Sequence, residues 1–329
     1  MPERDDGDRP MNEPVRIGVL GCADIAVRRM LPGFAAAADT EVVAVASRSR
    51  QKAQSVAQSF RARAVHGYAE LLGMGDVDAV YVPLPAALHD RWAEAALAAG
   101  KHVLAEKPLA ESAKRAEYLF ALARDRGLAL MENVMFVHHP RHEAVRGLVA
   151  DGAIGELRSF HAAFTVPALP DTDIRYRPEL GGGALADVGI YPLRAALHFL
   201  GPGLEVVGAH LVRGPGRAVE TAGAALLRTR ERLTAHLTFG MDNAYVSRYE
   251  LWGSAGRITV DRAFTAPADF VPVLELHRNG CREEIRQDPH DQVAATIKAF
   301  VASVRAGASP RNAVVRQAGL LDEVRERCA

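Results

Sequence analysis

Asp187, Tyr191, Arg194 and His198 fall at i, i+4, i+7 and i+11 in an otherwise apolar segment that follows Gly181, Gly182 and Gly183. On a helix those four side chains share one face. A carboxylate and a phenol there could handle a proton beside a ligand, and the glycines let the backbone turn tightly or a ligand approach closely. The same stripe could equally be a set of satisfied buried hydrogen bonds. A second group lies upstream, where an apolar run at 102–105 ends in Glu106-Lys107-Pro108. An ammonium at that point could lower a neighbouring phenol from its ordinary pKa of ~10 and hold charge developing on a carbonyl oxygen. His138, His139 and His142 raise a metal reading. Adjacent histidines splay apart on a helix and no acidic partner recurs at ligand spacing, so no metal is expected.

These groups need a scaffold. An apolar run at 15–20 enters Gly21-Cys22-Ala23-Asp24-Ile25-Ala26, and helical spacing follows to about residue 37. A strand, a glycine turn and a helix open a dinucleotide-binding unit. The usual second and third glycines are Ala23 and Ala26 here. The third serves helix–strand packing and tolerates alanine, whereas Ala23 stands where the pyrophosphate passes. Gly21, Cys22, Ala23, Asp24 and Ile25 are therefore expected at a cofactor. The next strand, 41–46, ends in Ser47-Arg48-Ser49-Arg50. An acid at that point would bind a ribose 2′-hydroxyl; a hydroxyl followed by a guanidinium suits a 2′-phosphate. NADP(H) is expected, with Ser47 and Arg48 as contacts.

Strands near 64–65, 78–82, 102–105 and 128–131 alternate with helical segments, which predicts a parallel sheet with ligand at the strand C-termini. Pro83-Leu84-Pro85 and Glu106-Lys107-Pro108 occupy such ends. Past Asn133 the pattern changes. One helix is expected over 138–151, then strands at 158–166, 204–212, 221–227, 233–240, 248–252, 257–260 and 273–277. Successive strands without helices between them indicate a mostly antiparallel sheet, interrupted by the 183–200 helix and closed by two helices at 291–305 and 312–327. The expected fold is α/β: a disordered leader (1–13), a dinucleotide-binding domain for NADP (14–135), and a second α/β domain (136–329) with a mostly antiparallel sheet.

Composition narrows the class. Forty basic residues balance forty acidic ones over 329 residues, which argues against broad nucleic-acid binding. Three scattered cysteines suggest neither a disulfide framework nor a thiolate zinc site. No apolar run reaches membrane-spanning length and the polar N-terminus has no signal-peptide core, so a cytoplasmic protein is expected.

Taken together, the glycine turn at 21–26, Glu106-Lys107-Pro108, and Gly181-Gly182-Gly183 with Asp187, Gly189 and Tyr191 resemble the glucose–fructose oxidoreductase/inositol dehydrogenase family. The motifs span most of the chain in the family's order, and the resemblance implies a Rossmann domain over 14–135 and, over 136–329, a substrate and oligomerisation domain with an open sheet. Many members carry histidine where this chain has Tyr191, and often aspartate where it has Arg194. The tyrosine form is similar to the branch with glucose–fructose oxidoreductase, xylose dehydrogenase and dihydrodiol dehydrogenase. Asp173-Ile174-Arg175-Tyr176-Arg177-Pro178-Glu179-Leu180, Met135-Phe136-Val137-His138-His139-Pro140, and Val82-Pro83-Leu84-Pro85 with His89 resemble the nucleotide-diphosphohexose 3-ketoreductases of antibiotic deoxysugar biosynthesis.

The resemblance implies NADPH-dependent reduction of the C3 keto group of a thymidine-diphospho-3,4-diketo-2,6-dideoxyhexose. Tyr191 or Lys107 would pass the proton directly, Tyr191 being preferred, and Asp187 would pair with Lys107 or orient the sugar. The Lys107–Pro108 bond would be cis, Glu106 would bind backbone or cofactor ribose, and Pro83, Leu84 and His89 would face the cofactor. Arg175 and Arg177 could hold the diphosphate by bidentate pairing. A homo-oligomer, dimer or tetramer, is expected through the C-terminal sheet. The alternatives are an NADP-dependent xylose-type or trans-dihydrodiol dehydrogenase and, further off, a non-catalytic sugar-binding regulator, which would be expected to have lost Lys107 or Tyr191.

Overall fold

Six short strands, most of them buried and apolar, form the first sheet of the computed structural model, which describes residues 13–328. They are β1 (Val15–Leu20), β2 (Thr40–Ser47), β3 (Arg63–His66), β4 (Ala79–Val82), β5 (His102–Glu106) and β6 (Leu130–Asn133). Every pairing is parallel, in the order β3-β2-β1-β4-β5-β6. All four residues of β4 are buried, as a strand covered on both faces by helices requires. The order reverses between β1 and β4, and that switch point opens a crevice at the strand C-termini. The expected leader lies outside the described residues except for Glu13.

The second sheet contains β7 (Leu157–Thr165), β8 (Glu205–Val212), β9 (Ala222–Arg228), β10 (Thr234–Gly240), β11 (Val246–Gly253), β12 (Gly256–Asp261), β13 (Val273–Arg278) and β14 (Cys281–Arg286). Their order is β14-β13-β12-β11-β7-β10-β9-β8. Burial alternates along β9, β10 and β11, so one face is core and the other outward. The Ile190–Leu200 helix packs its apolar face on the inner side, among Phe160, Leu237 and Phe239. The fold is thus α/β, a parallel dinucleotide-binding sheet joined to a mostly antiparallel one.

Several local expectations need correction. Residues 138–151 are not one helix: a short turn at Met135–His138 is separated from the Arg141–Ala150 helix at His139 and Pro140. The proline pushes His139 into extended backbone, at φ −82° and ψ 124°. Strand β6 begins two residues later than expected and carries Asn133 to the cleft while Glu132 stays buried in the interior. β7 and β10 pair in parallel, making the sheet mixed. The edge strand β14 is additional; its charged sequence hides it, but Asn279-Gly280, both at positive φ, is a hairpin signal.

The last two helices return to the first sheet. Val293, Ile297 and Phe300 of the Gln292–Ala306 helix share a core with Phe34, Leu31 and Val19. From the Asn312–Arg327 helix, Val314 and Ala318 pack on the other side of that sheet. Among the described residues no helix is long and apolar enough to cross a membrane.

Candidate active site

One cleft of about 1090 Å³ runs from the glycine turn after β1 to the glycines before the Ile190–Leu200 helix. Its lining includes Gly21, Cys22, Ala23, Asp24, Ile25, Ser47, Arg48, Pro83, Leu84, His89, Glu106, Lys107, Arg175, Asp187 and Tyr191. Of the residues singled out in the sequence, Arg177 does not line it; its guanidinium pairs with Glu179. The metal-like histidines pack elsewhere. His142 Nδ1 lies 2.8 Å from the Tyr249 hydroxyl and His139 Nδ1 accepts the Arg141 N–H. Among the described residues no group of three or more His, Cys, Asp or Glu stands where it could hold a metal ion.

The polar stripe divides. Leu185–Gly189 forms a π-helical turn that places Asp187 and Tyr191 on the cleft, while Arg194 and His198 point into the protein. Close packing explains the glycines ahead of it. A Cβ on Gly182 would fall 2.4 Å from the Arg175 carbonyl oxygen, and one on Gly181 2.6 Å from the Ala87 nitrogen. Such contacts are with backbone and cannot be relieved by a side-chain rotation, so the loop requires glycine there.

Lys107 follows β5, and its bond to Pro108 is cis. Its Nζ donates to the Asp187 carbonyl oxygen at 2.6 Å and to Asp187 Oδ1 at 2.8 Å. The other carboxylate oxygen, Oδ2, accepts from Arg175 Nε at 2.9 Å, and Arg175 Nη1 reaches Asp173 as well. Two cations and two anions therefore alternate along the cleft wall. The Lys107 ammonium sits 5.2 Å from the Tyr191 ring centre, and the ring is held by edge contact with Phe164.

Charge states follow from this arrangement. Burial is the largest single effect on the Lys107 ammonium and disfavours it, but Asp187, Tyr191 and Glu106 together outweigh it and the net shift is upward. Burial opposes the Asp187 carboxylate too, yet Lys107 and Arg175 pull its pKa below the ordinary value. For Tyr191 burial wins: the phenol lies above its usual range although Lys107 opposes the rise. The site therefore rests as ammonium, carboxylate and neutral phenol. The lysine does not bring the phenol below ~10, contrary to what its chemistry alone suggests.

Glu106 meets side chains rather than backbone: Oε1 accepts from the Tyr81 hydroxyl and from Asn133 Nδ2, both at 2.6 Å. Asn133 Oδ1 is buried without a partner in the cleft lining. It pairs in register with Glu106, so the rule that ligands meet strand ends could have found it. Gln292, another lining residue absent from the sequence reading, enters from a helix far along the chain, where no local signal marks it. His89 is braced between the carbonyls of Pro108 and Leu84, at 2.8 and 2.6 Å, and joins two cleft loops.

The nucleotide end fits a dinucleotide. Gly21 has φ +126°, and a Cβ there would meet Leu84 at 3.1 Å. Ala26 is fully buried against the first core, as the packing position requires. Ser47 Oγ accepts the Ser49 N–H at 3.1 Å, and Arg48 is exposed beside it with no acid between residues 47 and 52. Residues 15–134 match the family model described as the oxidoreductase family with NAD-binding Rossmann fold, and residues 142–259 match the GFO/IDH/MocA C-terminal domain. The chain belongs to the GFO/IDH/MocA family. As a member of it, the chain is an oxidoreductase. Among GFO/IDH/MocA relatives, it is 52% identical over 322 residues, 97% of each chain, to a dTDP-3,4-didehydro-2,6-dideoxy-alpha-D-glucose 3-reductase of Actinomadura kijaniata. It is 34% identical to D-xylose 1-dehydrogenase (NADP(+)) 2 of Haloferax volcanii, covering 89% of this chain and 90% of that one. Among solved structures, the 3-ketoreductase KijD10 of Actinomadura kijaniata, in complex with NADP and TDP-benzene, superposes with a TM-score of 0.94 at 51% identity, covering 96% of this chain and 98% of that one.

Proposed function

We propose that this oxidoreductase uses NADPH to reduce the C3 keto group of a dTDP-linked 3,4-diketo-2,6-dideoxyhexose. The observation that carries the reading is the near-full-length likeness to a 3-reductase of that substrate, in a chain whose cleft holds Lys107, Asp187 and Tyr191 together. NADPH, when bound, supplies the hydride. Gly21, Cys22, Ala23, Asp24 and Ile25 would hold its pyrophosphate side, and Ser47 and Arg48 its 2′-phosphate. Pro83, Leu84 and Glu106, braced by His89, line the cleft and would face the nicotinamide half of the cofactor.

Ketone reduction also needs a proton on oxygen. Tyr191 is the donor in this reading, because its raised pKa keeps the phenol protonated at neutral pH. As negative charge develops on the carbonyl oxygen, the Lys107 ammonium stabilises it. Asp187, gripped by Arg175, fixes that ammonium. The proton leaves the phenol O–H, the C–OH is completed, and solvent reprotonates Tyr191. Arg175, which lines the cleft, is the arginine offered to the substrate diphosphate.

A homo-oligomer through the outward face of the second sheet belongs to the same proposal. Trp252, 41% exposed, stacks on His161, which in turn stacks on His236; Val207 and Val212 are exposed on β8. Apolar and aromatic surface of this kind favours contact with a second copy.

The test is NADPH oxidation with freshly generated dTDP-3,4-diketo-2,6-dideoxyglucose, beside NADH, and beside NADP⁺ with D-xylose or a trans-dihydrodiol. Turnover of the keto-sugar that prefers NADPH supports the reading. Xylose or dihydrodiol oxidation without keto-sugar turnover would overturn it.

A further inference from the structure

Glu132, Arg194 and Gln317 meet in the protein interior, away from the proton-transfer groups. Their side chains are nearly or fully buried: Glu132 is 1% exposed, Arg194 8%, and Gln317 1% as a residue. They arrive from three separate elements, the end of β6, the Ile190–Leu200 helix and the Asn312–Arg327 helix. Arg194 donates to Glu132 Oε2 through Nη2 and to Gln317 Oε1 through Nε at 2.7 Å. Gln317 Nε2 donates to both carboxylate oxygens at 3.1 Å. The fourth partner is backbone: the Leu109 N–H donates to Glu132 Oε1 at 2.8 Å.

The sequence positions of those partners give the cluster its meaning. Leu109 stands two residues after Lys107, and Arg194 three residues after Tyr191. One carboxylate thus ties the turn that carries the lysine to the helix that carries the tyrosine. Burying an ion pair costs desolvation, and an apolar replacement of similar volume is often as stable or more so. Stability alone is therefore a weak reason for this pair. Proton transfer and charge stabilisation at one oxygen, by contrast, lose steeply when the groups shift by an ångström.

We propose that Glu132 is a positioning residue: with Arg194 and Gln317 it clasps the Lys107 turn to the Tyr191 helix and sets the geometry of the reacting pair. The inference rests on the assignment of Lys107 and Tyr191 made above. It is tested by replacing the pair together, Glu132→Met with Arg194→Met, so that no buried charge is orphaned. Expected are a thermal midpoint lowered by a few degrees, because the buried Leu109 N–H and Gln317 amide lose their partners, a KM for NADPH within ~3-fold, and a kcat reduced ~10- to 100-fold. Arg194→Lys, which keeps a cation beside Glu132 and leaves the Leu109 bond intact, should recover most of the rate. A merely structural cluster would lower stability alone, with kcat per folded molecule kept. A folded double variant with kcat within threefold of wild type overturns the proposal. Should the double variant not fold, Gln317→Leu serves instead: it removes only the amide that braces both partners. A kcat lowered several-fold at unchanged NADPH KM then supports the clasp, and an unchanged kcat defeats it. The variants are compared on whichever carbonyl or alcohol substrate wild type turns over. Absence of turnover with the dTDP-keto-sugar would thus count against the substrate reading alone.

Discussion

At Tyr191 the balance of two opposing effects decides what the residue can do. Desolvation raises the phenol, Lys107 opposes, and the net rise leaves a neutral acid suited to giving a proton rather than taking one. Reduction needs the protonated form, whose fraction falls only as pH passes the phenol's pKa. The rate of reduction should therefore stay level from about pH 7 to 9 and fall only in the strongly alkaline range, above the ordinary ~10 of a phenol. A pH profile of kcat checks this; a basic limb centred near 8 that belongs to Tyr191 would contradict it. Lys107→Ala removes the cation that would face the developing oxyanion, and kcat should drop ~10²- to 10³-fold in steady-state assays, as when one oxyanion donor is lost. The types and spacing of Lys107, Asp187 and Tyr191 were legible in the sequence. The second grip of Lys107, on the Asp187 carbonyl, was not, because that acceptor is a backbone atom 80 residues away.

At the level of elements, the glycine loop and the π-helical turn after it convert a helical stripe into a cleft edge. Gly182→Ala would drive a methyl group into the backbone of residues 175–177. Displacing that segment would loosen Arg175 from Asp187. We expect a lowered thermal midpoint together with a kcat loss of tenfold or more, measured by thermal denaturation and turnover. An alanine variant indistinguishable from wild type would show that the loop is not closely packed. Strand and helix alternation made the first sheet readable, since each buried strand is a short apolar run between turns. Pairing across the second sheet was not readable in the same way: the parallel β7–β10 contact depends on which strands meet, not on any local pattern. The His139-Pro140 break was visible in principle, because proline disfavours helix in the residue before it.

Across the whole molecule, buried histidines set an acid limit. Burial, with nearby Arg194, holds His138 at about 4; burial, with Arg141 and His290, holds His139 at about 3; and His142 lies well below the ordinary value. The unfolded chain protonates such groups near 6.5 while the folded one does not, so stability is lost as pH falls below that point. Each histidine contributes up to about 1.4 kcal/mol per pH unit until its folded pKa is reached. Thermal midpoints should decline steadily from pH 6.5 to 4, and less steeply in His139→Gln; equal slopes would remove His139 from the account. The C-terminal helices show why domain order in the sequence understates the fold. Phe300 completes a core begun at β1, and Gln317 reaches the β6 carboxylate, so long-range packing joins segments that no local signal links. The most direct test of the central claim follows deuterium from [4-²H]NADPH into product by NMR, with the dTDP-3,4-diketo-dideoxyhexose as substrate and wild type beside Tyr191→Phe. The account predicts deuterium at C3 in the wild-type product, and a rate ~10²- to 10⁴-fold lower in the variant with NADPH binding kept. Label at another carbon, or a variant that transfers it as fast as wild type, would contradict it.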